Sequence, residues 1–247
     1  MFENSPGSGE SDFERRKFMK ALGVGAGVSG LAGLGSAEDT LSVVESEPIS
    51  SDRAAYELDA ARGWDYYNWI AEFMSGGSLD PIAENVWGHR IVTDDEEFNE
   101  REPVILSLPY AGPEGSQQGF LWVTMIDDAE GRRRPNGGVG TTVETVDGED
   151  RHRIYGWEDG EPAILASEPV ESSTSSIGTQ SHWCSTCVWV VDVTCYYGLY
   201  TLGRSGCNYI CWSYTCQRSC EALVDWLSGW LCNRFDSEQI CDWAGFC

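Results

Sequence analysis

Between Ser51 and Met74, the positions Ala54, Leu58, Ala61, Asp65, Trp69 and Phe73 follow roughly helical spacing. Ser51 or Asp52 can cap the start, and Gly63 weakens the middle. The pattern predicts a helix over 51–74, with the aromatic group Trp64, Tyr66, Tyr67 and Trp69 serving its core rather than a binding site. After Pro103 the period shortens. Val104–Tyr110, Phe120–Asp127, Val139–Val146 and His152–Trp157 are short runs of β-branched and aromatic residues. Turn clusters divide them: Gly112-Pro113-Glu114-Gly115, Pro135-Asn136-Gly137-Gly138, Asp147-Gly148 and Asp159-Gly160. Four strands with short connections predict an antiparallel meander, with the helix packed on one face.

The texture then changes twice. Residues 168–181 are dominated by Ser, Thr and Gly and read as a flexible connector, a place where proteases cut. Beyond it come all ten cysteines of the chain: Cys184, Cys187, Cys195, Cys207, Cys211, Cys216, Cys220, Cys232, Cys241 and Cys247. Such density in so short a segment signals a disulfide scaffold in an oxidising compartment. Cys207 with Cys211, and Cys216 with Cys220, stand at i, i+4 and share a helix face. Ile210, Tyr214, Leu223, Trp226, Leu227, Trp230 and Leu231 continue that face, so one or two helices are expected, capped at Ser205 or Ser219. A segment this small holds a marginal core, and bridges would decide whether it persists. The pairing stays open. Cys184-Ser185-Thr186-Cys187 as half a zinc site lacks a second C-x2-C and has only His182 nearby. As a redox pair it lacks a βαβ setting.

At the other end, residues 1–37 read as an address. Arg15-Arg16-Lys17-Phe18-Met19-Lys20 precedes a mild, glycine-rich apolar run, which closes on Gly35-Ser36-Ala37. Paired arginines, Phe18, Lys20 and a small residue at Ala37 for cleavage resemble a twin-arginine export signal, which implies the twin-arginine translocase as a partner and secretion of a folded chain.

Charge sharpens this organisation. Acidic residues number 40 against 16 basic, a net of −24. The two lysines, Lys17 and Lys20, both lie in the leader. An acidic, lysine-poor surface keeps a protein hydrated in salt and points to a halophilic source. It argues against nucleic acid as a partner, because no basic patch exists to displace phosphate counterions. The cluster Arg132-Arg133-Arg134 beside a turn reads as a solvated hairpin tip. His89, His152 and His182 are scattered, Asp94-Asp95-Glu96-Glu97 reads as a solvated acidic turn, and no G-x-S-x-G, phosphate loop or H-E-x-x-H occurs. No catalytic residue, metal or cofactor is expected.

The sequence therefore predicts an α+β chain in four parts. These are an export signal (1–37), an acidic middle domain with a helix and a β-meander (38–167), a linker (168–181) and a small, mainly helical ten-cysteine module (182–247). A twin-arginine leader, a cysteine-free acidic domain and a ten-cysteine tail poor in lysine resemble the halocin C8 precursors of haloarchaea. That resemblance implies a secreted antimicrobial (archaeocin) whose C-terminal piece is released to act on related archaea. It also implies that the middle domain binds the module and confers immunity. Tail aromatics such as Trp189, Trp212, Trp226, Trp230 and Trp243 suit a cell-surface or membrane target, although they suit a small core equally well. The rival reading is a secreted binding or adhesion protein that kills nothing.

Overall fold

The computed structural model describes residues 41–76, 79–112, 118–146, 149–158, 161–169, 182–195, 207 and 213–247. Arg15, Arg16, Phe18, Lys20 and Ala37 of the export signal lie outside the described residues, as do Cys211 and residues 170–181 of the expected linker.

The first described strand, β1 (Val43–Pro48), is followed by α1 (Ser51–Arg62). Ser50 starts α1 by accepting the Arg53 amide, and Ala54, Leu58 and Ala61 form its buried stripe as expected. The helix does not continue to Met74. It stops at Gly63, and α2 (Asp65–Ser75) begins again with Trp64 extended between them. The break resets the phase of the apolar stripe. Tyr67, Ile70 and Met74 are buried instead, while Trp69 and Phe73 are largely exposed.

After the two-residue β2 (Asp80–Pro81) come β3 (Trp87–Thr93), the single-turn α3 (Glu96–Asn99) and β4 (Val104–Ala111). Then follow β5 (Gln118–Asp127), β6 (Arg133–Val146), β7 (Glu149–Glu158) and β8 (Glu161–Pro169). All pair antiparallel in one eight-stranded sheet of order β1-β3-β4-β5-β6-β7-β8, with β2 on β4. The fold is α+β, with a disulfide-rich C-terminal region. The four expected strands are the centre of this sheet, β4 to β7. Glu168 and Pro169, read as connector, complete β8.

Register gives each face its composition. On one face, the rows Leu106–Val123–Gly138, Val104–Met125–Pro135 and Leu108–Leu121–Gly140–Tyr155 run across the strands. With Tyr110 they form an aliphatic bed for Ala54, Leu58, Ala61, Tyr67, Ile70 and Met74 of α1 and α2. Gly140 makes room for Met74, whose Sδ would lie 2.3 Å from any Cβ there. The opposite face carries Ile105, Phe120, Trp122, Val139, Val143 and Ile154, and it is covered by the C-terminal segment.

The tri-arginine cluster is not a hairpin tip. The turn ends earlier, because the Asp128 side chain accepts the Glu130 and Arg132 amides and Gly131 adopts a positive φ of 73°. Arg133 is already in β6 and buried. Its guanidinium reaches Glu57 of α1 (2.5 Å), Asp127 (3.2 Å) and the carbonyl of Glu102 (2.8 Å). Glu57 is itself fully buried and also meets Arg53. This pair locks α1 onto the sheet. Glu57→Ala strands a buried guanidinium, so urea denaturation should show a loss of about 3 kcal/mol. A loss within error of zero would mean that Asp127 and the carbonyls suffice.

Candidate functional site

The chain's chemistry converges where the cysteine module meets the sheet. α4 (His182–Val193) opens the module. α5 (Tyr214–Trp226) starts at Ser213, whose hydroxyl accepts the Cys216 amide. It runs on as a π-helix through Leu227–Leu231, with a last turn at Cys232–Arg234. α6 (Ser237–Trp243) is capped by Asp236. Of the two expected caps, Ser205 lies outside the described residues, and Ser219 is instead in mid-helix, its hydroxyl accepting from the Asn136 amide.

Four bridges are described: Cys184–Cys247, Cys187–Cys241, Cys195–Cys232 and Cys207–Cys220. Each encloses the next. Cys216 is also disulfide-bonded, and no described cysteine is free. Cys184 and Cys187 hold opposite ends of the module together, and neither serves as a metal ligand or redox pair. The expected i, i+4 sharing of a face is resolved here by Cys220 of α5, which reaches back to Cys207. Such bridging is typical of extracellular proteins. Among the described residues, no helix is long and apolar enough to cross a membrane.

The module's apolar side meets the sheet rather than itself alone. Val190, Val191, Ala222, Leu223, Trp226, Leu227, Leu231, Ile240 and Phe246 share one core with Phe120, Trp122, Val139 and Ile154. Phe120 stacks on Trp122 at 5.4 Å and takes the edge of Phe246. Around His89 of β3 stand Trp87, Trp226, Phe235 and Trp243. Gly245 (φ 75°) lets the chain turn against Asn85, whose amide donates to the carbonyl of Ala244 at 2.8 Å.

Polar bonds cross this apolar contact in two relays. Trp226 Nε1, which can only donate, gives its hydrogen to Ser46 Oγ at 2.9 Å. The Ser46 hydroxyl in turn shares a hydrogen bond with His89 Nδ1, also at 2.9 Å. In the second relay Thr194 of the module donates to the carbonyl of Val190 (2.7 Å), so it accepts from Thr141 (3.0 Å). Thr141 in turn accepts from His152 Nε2 (2.6 Å). Both histidines are almost fully buried, and burial pushes each imidazole pKa down to about 4.

At the rim, Asp95 caps α3 through the Phe98 amide and also meets Arg218 (3.1 Å) and the Tyr214 hydroxyl (2.7 Å) of α5. Burial opposes its ionisation, but these donors outweigh it and hold its pKa below the ordinary value. Asp94 accepts the Ser42 amide. Asp94, Glu96 and Glu97 are solvent-exposed as the sequence suggests, while Asp95 departs from that reading as a cap and a rim contact. Among the described residues, no three His, Cys, Asp or Glu side chains gather as a cation site.

The two sheet faces differ in kind. Under α1 and α2 the buried strand positions are mostly aliphatic or aromatic, with Thr142, bonded to the Tyr155 hydroxyl, and Arg133, paired with Glu57, as polar exceptions. Under the module lie His89, Ser107, Gln118, Thr124, Thr141 and His152 as well. Trp87 Nε1, Trp122 Nε1 and Ser107 Oγ are buried there without a protein partner. A permanent core rarely carries such groups, because each costs about 1–3 kcal/mol. An interface that separates exposes them to water, where that cost vanishes. No family model, curated protein or solved structure matches the chain.

The lowered histidine pKa values fix a pH window. The unfolded chain binds protons from about pH 6.5 downward and the folded chain only near 4, so stability is full above 6.5 and declines toward 4. The loss should reach roughly 3 kcal/mol per histidine. The contribution of Asp95 lies lower, disappearing only as pH falls below the ordinary carboxylate range. Urea midpoints taken at pH 7, 5.5 and 4.5 in constant salt should fall, and His89→Gln with His152→Gln should flatten the curve.

Proposed function

We propose that this chain is a secreted antimicrobial precursor of the halocin C8 type, in which a disulfide-braced module is stored against its own neutralising domain. The observation that carries the reading is the pairing of an internal cage with a polar-studded face. Every cysteine lies within residues 184–247, so no bridge ties the module to the sheet. One cut between Pro169 and His182 leaves two pieces held only by non-covalent contact. The module then keeps its shape through its bridges, and the sheet domain (residues 38–167 by sequence) acts as the immunity partner that covers its apolar side. The twin-arginine leader, ending at Ala37, delivers the folded precursor outside.

In this reading the covered face is also the active one. Leu223, Trp226, Leu227, Leu231 and Phe246 face the sheet before release and the target cell surface after it. Immunity and killing exclude each other because they use the same atoms. The module is net acidic (six Asp or Glu against three Arg in residues 182–247). It therefore meets its target by apolar and aromatic contact rather than by attraction to anionic lipid.

The test uses the full chain with a specific protease site in place of residues 172–176. After cutting, the halves should co-elute, and the module separated in mild acid should clear lawns of related haloarchaea. Added sheet domain should abolish clearing. Intact mass of the module should show the loss of ten hydrogens. A separated, fully oxidised module that clears no lawn sinks the antimicrobial reading in favour of adhesion.

A further inference from the structure

We infer that the α5 face carrying Glu221, Asp225, Trp226 and Trp230 is a reading site for an extended polypeptide strand. β1 occupies it in the precursor, and an edge strand of a target-cell protein takes its place after release. The inference rests on the module leaving the sheet, as proposed above.

Three of the four contacts are directed at backbone. Glu221 accepts the Leu41 amide at 3.4 Å and Asp225 accepts the Val43 amide at 2.8 Å. Trp230 Nε1 donates to the Val43 carbonyl at 3.4 Å, and Trp226 Nε1 reaches the Ser46 hydroxyl. The spacing explains why a helix can do this. Residues i and i+4 of a helix rise about 6 Å, and residues i and i+2 of a strand rise about 6.6 Å. Two carboxylates one turn apart therefore meet the alternate amides of Leu41, just ahead of β1, and Val43, its first residue. The amide and carbonyl contacts carry no side-chain identity, so the site reads extension and free hydrogen-bonding groups, with the Ser46 hydroxyl as its one side-chain contact among these four.

The site is also pre-arranged. Glu221 is 3% exposed and is held by Gln217 (3.0 Å) and Arg218 (3.0 Å). Arg234 lies 3.6 Å over the Trp230 ring and fixes the indole. The π-helical turn begins directly after Trp226 and contains Trp230, a kind of irregularity that collects at functional sites. Once β1 is gone, the carboxylates and indole N–H groups match the unpaired amides and carbonyls along the edge of an open sheet. Val44 points away from this contact and is 59% exposed, so its side chain is free to vary.

The experiment uses the full chain lacking residues 40–48 and, as probe, a labelled peptide of the sequence Thr40 to Pro48. The deleted chain should bind the peptide saturably and the intact chain should not. N-methylation at Val43 of the peptide, or Asp225→Asn in the deleted chain, should each weaken binding roughly tenfold. Val44→Ala in the peptide should change nothing. A deleted chain that keeps its near-ultraviolet circular dichroism yet ignores the peptide overturns the inference. So does binding that is indifferent to N-methylation and to Asp225→Asn, or binding to lipid vesicles in place of the peptide. If the deletion fails to fold, hydrogen exchange in the intact chain decides. Asp225→Asn should speed exchange at the Val43 amide roughly tenfold and leave the β3–β4 amides unchanged, and equal rates at Val43 count against the site. Peptide binding without lawn clearing would keep the reader and remove the killing.

Discussion

An antiparallel sheet with apolar side chains on both faces must be covered twice. Here the two covers are unlike. α1 and α2 follow β1 directly and sit on an aliphatic bed, fixed by the buried Glu57–Arg133 pair. The second cover arrives from the far end of the chain and brings its own covalent frame. Without it, Phe120, Trp122, Ile105 and Ile154 would face water. The same apolar contact thus completes the sheet and hides the module. The polar groups beneath the module temper that dependence, because hydrated hydroxyls, imidazoles and indole N–H groups make the bare face less costly than its aliphatic counterpart.

The forces across the contact suit concentrated salt. At about 1 M salt the screening length shrinks to about 3 Å, and exposed ion pairs weaken. The contact leans instead on buried rings, hydroxyl relays, neutral imidazoles and charged acceptors for backbone amides. Its one cross-contact ion pair, Asp95–Arg218 among the described residues, is largely sheltered and reinforced by Tyr214. Neutral His89 avoids placing charge among the surrounding rings of Trp87, Trp226, Phe235 and Trp243.

Much of this was legible in the sequence, for identifiable reasons. β4 to β7 announce themselves because Val104–Tyr110 and Phe120–Asp127 are buried on both faces and so dense in β-branched and aromatic residues. β1 was invisible because Val44, Glu45, Glu47 and Pro48 are all exposed, so no apolar alternation marks it, and its register partners in β3 lie 41 to 50 residues further along the chain. β3 contains Gly88, His89 and Arg90, none of which favours a strand locally. Helical periodicity found α1 but missed the change of phase at Gly63, where extended Trp64 resets the face. The cysteine tail declared a cage but not its pairing, because spacing alone does not say which helices are adjacent. The importance of His89 and His152 could not be read, since each looked isolated until register brought both onto one face. The alternation of Phe120, Trp122 and Ile126 with Leu121, Val123 and Met125 was the one available hint that the meander needed a cover on each side.

The concentric order of the bridges has a kinetic meaning. Among the many ways to join ten thiols, a nested set is one that can close from the middle outward. Cys207–Cys220 spans the shortest described interval, and once it forms, Cys195 and Cys232 approach as the flanks of a tightened hairpin. Each closure shortens the search for the next pair, so every outer bridge closes only a small added loop and costs little chain entropy. The module can therefore zip itself to a single isomer from an inner nucleus, and disulfide scrambling would be confined to whichever rung is still open.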